Sequence, residues 1–132
     1  MVATNKFTCM KTILSFILFT AFVTVFAQTG GMAEFKLTAH DFGKIKQGKP
    51  VSTEFGFINK GTKNLIVEDA TAECGCTTPE FTKTPVAKNK AGTIKVTYNA
   101  ENPGVFKKKV TVKFLGIKEP VILTISGEVE VP

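Results

Sequence analysis

Val51-Ser52-Thr53-Glu54-Phe55-Gly56-Phe57-Ile58, closed by Asn59-Lys60-Gly61, is the stretch on which the reading of the fold turns. Val51, Thr53, Phe55 and Phe57 occupy every second position, so in an extended chain they share one face. Asn59-Lys60-Gly61 then supplies residues that stop a strand. Strict alternation ended by a turn is the pattern of a half-buried strand, not of a helix.

The same rhythm recurs along the chain. Residues 34–38 alternate, with Phe35 and Leu37 on one face, and residues 64–72 contain Leu65, Ile66 and Val67. Ile94, Val96 and Tyr98 point inward in a strand over residues 93–99. Asn102-Pro103-Gly104 is a strong turn signal, and residues 106–114 and 121–129 form the last two strands. Between these, His40-Asp41-Phe42-Gly43 reads as a bend and residues 47–50 as a turn. Residues 77–90, with Pro79 and Pro85, suit an irregular crossing between sheets. After residue 27 no segment keeps a helical period over ten residues, and no internal repeat is visible. The expected fold is therefore all-β: an immunoglobulin-like β-sandwich of about seven strands. Phe55, Phe57, Ile94, Val96, Val110 and Val112 are its expected core. Lys108 shares the inward parity of Phe106, Val110, Val112 and Phe114, which predicts an edge or a bulge there. Lys107 and Lys109 read as a solvated face.

The first residues belong to a different kind of segment. Lys6 and Lys11 precede an apolar run over residues 13–26, and Val25-Phe26-Ala27 ends it on a small residue. A positive start, a short apolar run and a small-residue exit are the parts of a secretory signal peptide. Its 14 residues are short of a membrane span, which needs about 20. Cys9 lies before the run, not after it, which argues against a lipid anchor. The expected organisation is a signal peptide over residues 1–27, a flexible lead over 28–33 and one sandwich domain over 34–132. Export to the periplasm or the extracellular space follows, with no integral membrane segment left after cleavage.

Removing residues 1–27 takes two lysines and no acid from the net charge of +6, leaving +4. Every positive charge is a lysine, and arginine is absent. Arginine's planar fork is the usual means of gripping phosphate at two points. Its absence, together with export, argues against nucleic acid as a partner. There is no tryptophan, and Cys74 and Cys76 stand only two apart, unlike the distant pair of antibody domains. Phenylalanine must carry the core instead.

Five stretches in order carry a resemblance. They are His40-Asp41-Phe42-Gly43-Lys44-Ile45-Lys46-Gln47-Gly48, Phe55-Gly56-Phe57-Ile58-Asn59-Lys60-Gly61 and Cys74-Gly75-Cys76-Thr77-Thr78-Pro79, then Gly92-Thr93-Ile94-Lys95-Val96-Thr97-Tyr98-Asn99 and Gly104-Val105-Phe106-Lys107-Lys108. Over residues 34–128 the chain resembles a family of exported bacterial proteins known only as a domain of unknown function, number fifteen-seventy-three. The resemblance implies an immunoglobulin-like fold and neither an enzyme activity nor a substrate. Two turns depart from the family pattern. Lys88-Asn89 stands where relatives often have Pro-Gly, and Phe114-Leu115-Gly116 where they often have Ser-Asn.

Little chemistry is legible. Asp41-Phe42-Gly43 spells a kinase triplet, but no phosphate loop or catalytic loop accompanies it. The sole histidine, His40, is tied by no motif to a serine, so no activated nucleophile is evident. The chain is expected not to be an enzyme and to need no cofactor. Cys74-Gly75-Cys76 is the exception, and three chemistries fit it. In an oxidising compartment the two form a disulfide, worth only about 1.5 kcal/mol because the closed loop is so small. As free thiols they pack as small apolar groups. As thiolates they suit copper(I), with His40 a candidate third ligand. The leading functional expectation is a non-catalytic interaction or structural module of the cell envelope, partnered by another envelope or extracellular protein. The rival is a small redox or metal-handling protein built on the cysteine pair.

Overall fold

The computed structural model describes residues 31–132. The expected signal peptide lies outside the described residues, as does the first half of the expected lead, residues 28–30. Eight strands follow in order: β1 (Ala33–Phe35), β2 (Ala39–Lys46), β3 (Val51–Asn59), β4 (Val67–Ala72), β5 (Thr77–Phe81), β6 (Ala91–Tyr98), β7 (Gly104–Phe114) and β8 (Val121–Glu130). They form two four-stranded sheets, ordered β1-β3-β6-β5 and β2-β8-β7-β4. Neighbours run antiparallel except β2, which lies parallel to β8. Two such sheets bury their inner faces against each other, as a sandwich must.

Alternation decides what faces the core. Phe55, Phe57, Ile94, Val96, Val110 and Val112 are each 2% exposed or less, as their spacing predicts. Phe57 is level with Gly92 on β6, and a Cβ at position 92 would stand 2.3 Å from the Phe57 ring. Glycine is therefore what lets this ring lie flat against the neighbouring strand. Phe35 and Phe114 complete the cluster, each with its ring centroid 5.3 Å from that of Phe57.

Four local expectations change. The strand over residues 34–38 stops at Phe35, and Leu37 is 66% exposed instead of sharing the face of Phe35. His40-Asp41-Phe42-Gly43 is not a bend between strands but part of β2. Gly43 (φ +65°) sits in a bulge there, its N–H bonded to Asp41 Oδ1 at 2.8 Å. The short side chain of aspartate makes the turn locally while pairing with β8 resumes at Lys44. The stretch 77–90 opens with a fifth strand, β5, which tolerates Pro79 because it lies at the edge of its sheet.

The fourth change settles the role of Lys108. Pairing of β7 with β8 runs through it without a bulge, opposite Ile125. Pairing with β4 ends at Ala72 opposite Val110, so the first half of β7 projects past its other neighbour. Lys108 is half-buried on this uncovered stretch, an inward lysine at an edge. Of the two turn departures, Asn89 adopts φ +61°, the left-handed conformation that glycine would supply and asparagine tolerates.

Candidate functional site

The cysteines occupy the corner where the chain passes from one sheet to the other, between β4 and β5. Glu73 keeps one more backbone bond to β7, its N–H donating to Lys109 O at 3.2 Å. The chain then turns through Cys74-Gly75-Cys76, and the Thr77 N–H returns to Cys74 O at 3.3 Å. Cys76 O accepts from Asn99 N–H at 3.0 Å, which ties the corner to the loop after β6. Cys74 and Cys76 are joined as a disulfide, their Cα atoms 5.3 Å apart. Both are half-buried, and Gly75 between them is exposed, with nothing within 4 Å of where a Cβ would stand.

Two groups flank the pair. Thr77 is buried, and its hydroxyl oxygen lies 3.8 Å from each sulfur. On the other side, the β4–β7 register steps from Ala72 opposite Val110 through the Glu73–Lys109 bond. Cys74 and Lys108 are each one residue beyond that bonded pair. Two oddities of the sequence, the cysteine pair and the inward lysine, thus meet at one corner. His40 does not join them. It lies on β2, the far edge of the order β2-β8-β7-β4, where its ring meets Phe42 edge-on at 4.7 Å. Among the described residues, no three His, Cys, Asp or Glu side chains gather as a metal would require.

Behind the corner, Tyr98 stacks on Phe106 with centroids 4.0 Å apart, and burial pushes the Tyr98 phenol above its usual 10.0. At the surface of β2, Lys44 Nζ lies 2.7 Å from Glu130 Oε1. That hydrogen bond, with the charges of Glu130 and Glu128, raises Lys44 above 10.5. Both groups of this pair are exposed, so it adds little to stability.

The opposite end of the sandwich holds a feature that the sequence did not disclose. A groove of about 590 Å³ opens there, lined by Met32, Ala33, Phe114, Ile117, Val121 and Ile122 among others. Met32 and Ile122 are 46% and 43% exposed, so apolar surface faces solvent. Its walls come from positions 31–33 and 114–122, remote in sequence and belonging to opposite sheets, so only the packing of the two sheets unites them. Beside it stands the fully buried Asn59. Its Nδ2 donates to Lys63 O and Val86 O, each at 2.8 Å, and its Oδ1 accepts from Gly61 N–H at 2.9 Å.

Comparison with known proteins places this architecture. The sequence model of a family described as "Protein of unknown function (DUF1573)" matches residues 33–129. No curated protein matches. Among solved structures, a protein of unknown function from Porphyromonas gingivalis W83 is similar at 14% identity with a TM-score of 0.64. The match covers 74% of this chain and 46% of that one, so the chain spans less than half of that protein's length. PapD-like domain 7 of human CEP192 is similar at 10% identity and a TM-score of 0.64, with 76% and 87% covered. The YadV chaperone is similar at 16% identity and a TM-score of 0.55, with 76% and 53% covered. Likeness at these identities extends to the fold alone.

Proposed function

The chain belongs to the DUF1573 family, whose members are described as proteins of unknown function, and from that premise we propose that it is an exported, non-catalytic module of the bacterial cell envelope that binds an extended segment of another envelope protein. The observation that carries this reading is the apolar groove at the start of edge strand β1, lined by Ala33, its first residue, and by Met32 just before it.

The four sheet edges differ in what they offer. The edge at β2 has a bulge, with Lys44 and Lys46 beyond it, and β4 has a bulge between Val67 and Asp69. The edge at β5 carries Pro79. Bulges, lysines and proline all discourage an added strand. Strand β1 has none of these, and among the described residues it pairs with β3 only. A strand laid beside β1 finds free backbone donors and acceptors, and its alternate side chains point into the groove. Lys118 and Glu119 at the rim cancel in charge, so the fitting partner is apolar at every second position without a required charge. Exposed apolar surface of this kind marks interaction sites.

The test uses the chain recovered from the periplasmic fraction, with a mass that fits a start near Gln28. Panned against displayed ten-residue peptides, it should select segments with alternating apolar residues. Ile122→Glu should abolish their binding while the thermal transition is kept. Selection of peptides without that alternation, or binding untouched by Ile122→Glu, would refute the groove as the site. An uncleaved chain retained in the cytoplasm would refute export.

A further inference from the structure

We propose that the disulfide between Cys74 and Cys76 is a thiol–disulfide exchange site that accepts two electrons from an exported protein dithiol, with Lys108 and Thr77 receiving the sulfurs as thiolates. This site lies at the end of the sandwich away from the groove and is independent of it.

Three features of the corner support the assignment. The first is access. Gly75 is exposed and the cysteines on either side of it are half-buried and not fully enclosed, so the turn that carries the disulfide faces solvent. The second is electrostatic. The Glu73–Lys109 backbone bond leaves Cys74 and Lys108 each one residue beyond a bonded pair, and Lys108 is the one lysine of β7 with inward parity that is half-buried. A departing thiolate beside an ammonium group is a better leaving group, because its charge is stabilised as it forms. The third is the Thr77 hydroxyl, buried and 3.8 Å from both sulfurs, which can turn its proton toward either one as it becomes charged.

These positions assign the steps. The partner's thiolate attacks Cys76 Sγ, a bond forms between the two, and the bond between the cysteines breaks. Cys74 leaves with the electron pair as a thiolate beside Lys108. The partner's second thiolate then attacks the partner sulfur held by Cys76 and closes the partner's own disulfide. Cys76 is released toward Thr77, and both thiolates take protons from water. The partner loses two electrons and this domain gains them. The domain remains folded throughout, since a ring of so few residues restricts the unfolded chain very little. Backbone bonds from Glu73, Thr77 and Asn99 hold the corner whether or not the sulfurs are joined.

Dithiothreitol serves as the dithiol, with opening followed by alkylation and mass measurement at fixed pH. Wild-type protein should open with its circular dichroism and cooperative melting retained. Lys108→Gln should slow opening about three- to fivefold, as expected for a leaving thiol whose pKa rises by about one unit. Lys108→Arg should restore the rate, and Lys109→Gln, which alters only an exposed side chain, should leave it unchanged. A brief pulse of glutathione followed by peptide mapping should find the mixed disulfide on Cys76. Opening that occurs only as the domain unfolds, equal slowing by Lys109→Gln, no slowing by Lys108→Gln, or a mixed disulfide on Cys74 would each overturn the proposal.

Discussion

At one end of the sandwich a covalent bond closes a three-residue turn; at the other, the amide of a single buried asparagine gathers three backbone groups from two separate stretches. The disulfide joins residues already adjacent in the chain. Asn59 instead reaches Gly61, Lys63 and Val86 with its side chain, and its own backbone bonds Asn89 and Lys90. The contrast separates the strength of a link from its contribution to stability. A bond contributes to folding by the freedom it removes from the unfolded chain, or by the cost of leaving its partners unmade in the interior. On both counts the covalent end is the lesser contributor. Its chemistry is therefore free to serve another purpose.

The largest expected effect lies at the groove end. Phe57→Ala removes a ring 1% exposed and packed between Phe35 and Phe114. It should cost about 3–5 kcal/mol in chemical denaturation. A loss under about 1 kcal/mol would mean that the cluster refills and that this end is less tightly specified than its contacts indicate.

Asn59→Ala comes next and sharpens the comparison most directly. It takes the side-chain partner from the carbonyl of Lys63 and the N–H of Gly61, and one of two bonds from the carbonyl of Val86, which keeps that from Leu65 N–H. The expected loss is about 3 kcal/mol, from buried groups that cannot all be rehydrated. Equal stability of this variant and the wild type would erase the distinction between the ends.

The smallest effect belongs to the cysteines. Changing both Cys74 and Cys76 to serine should leave a cooperative fold, with a loss of about 2 kcal/mol or less. If that double variant fails to fold, the corner is structural and the comparison is inverted.

Much of the architecture was legible in the residues. The inward sets on β3, β6 and β7 are read correctly because a side-chain period of two leaves a strand only two choices of face. Two strands were missed for local reasons. In β2 the glycine and aspartate of the bulge imitate a turn between strands. In β5 the proline argues against a strand until the strand is known to be an edge. The candidate site was half legible. Cys74 and Cys76 announce themselves by spacing, and Lys108 by breaking an apolar parity. Thr77 gave no signal, since threonine after a turn is ordinary and its burial depends on how the two sheets close over it.

By itself, then, the sequence determined the strand character, the inward faces and the presence of two thiols close enough to meet. All of these depend on neighbours within a few residues, where backbone geometry alone decides what lies beside what. The tertiary structure decided which strands are edges, that His40 stands across the sheet from the cysteines, and that the chain next to Cys74 bonds to β7 next to Lys108. It also decided that Met32 and Ile122, ninety positions apart, line one groove. Those facts depend on strand order and register, which are set by how two whole sheets bury their apolar faces together.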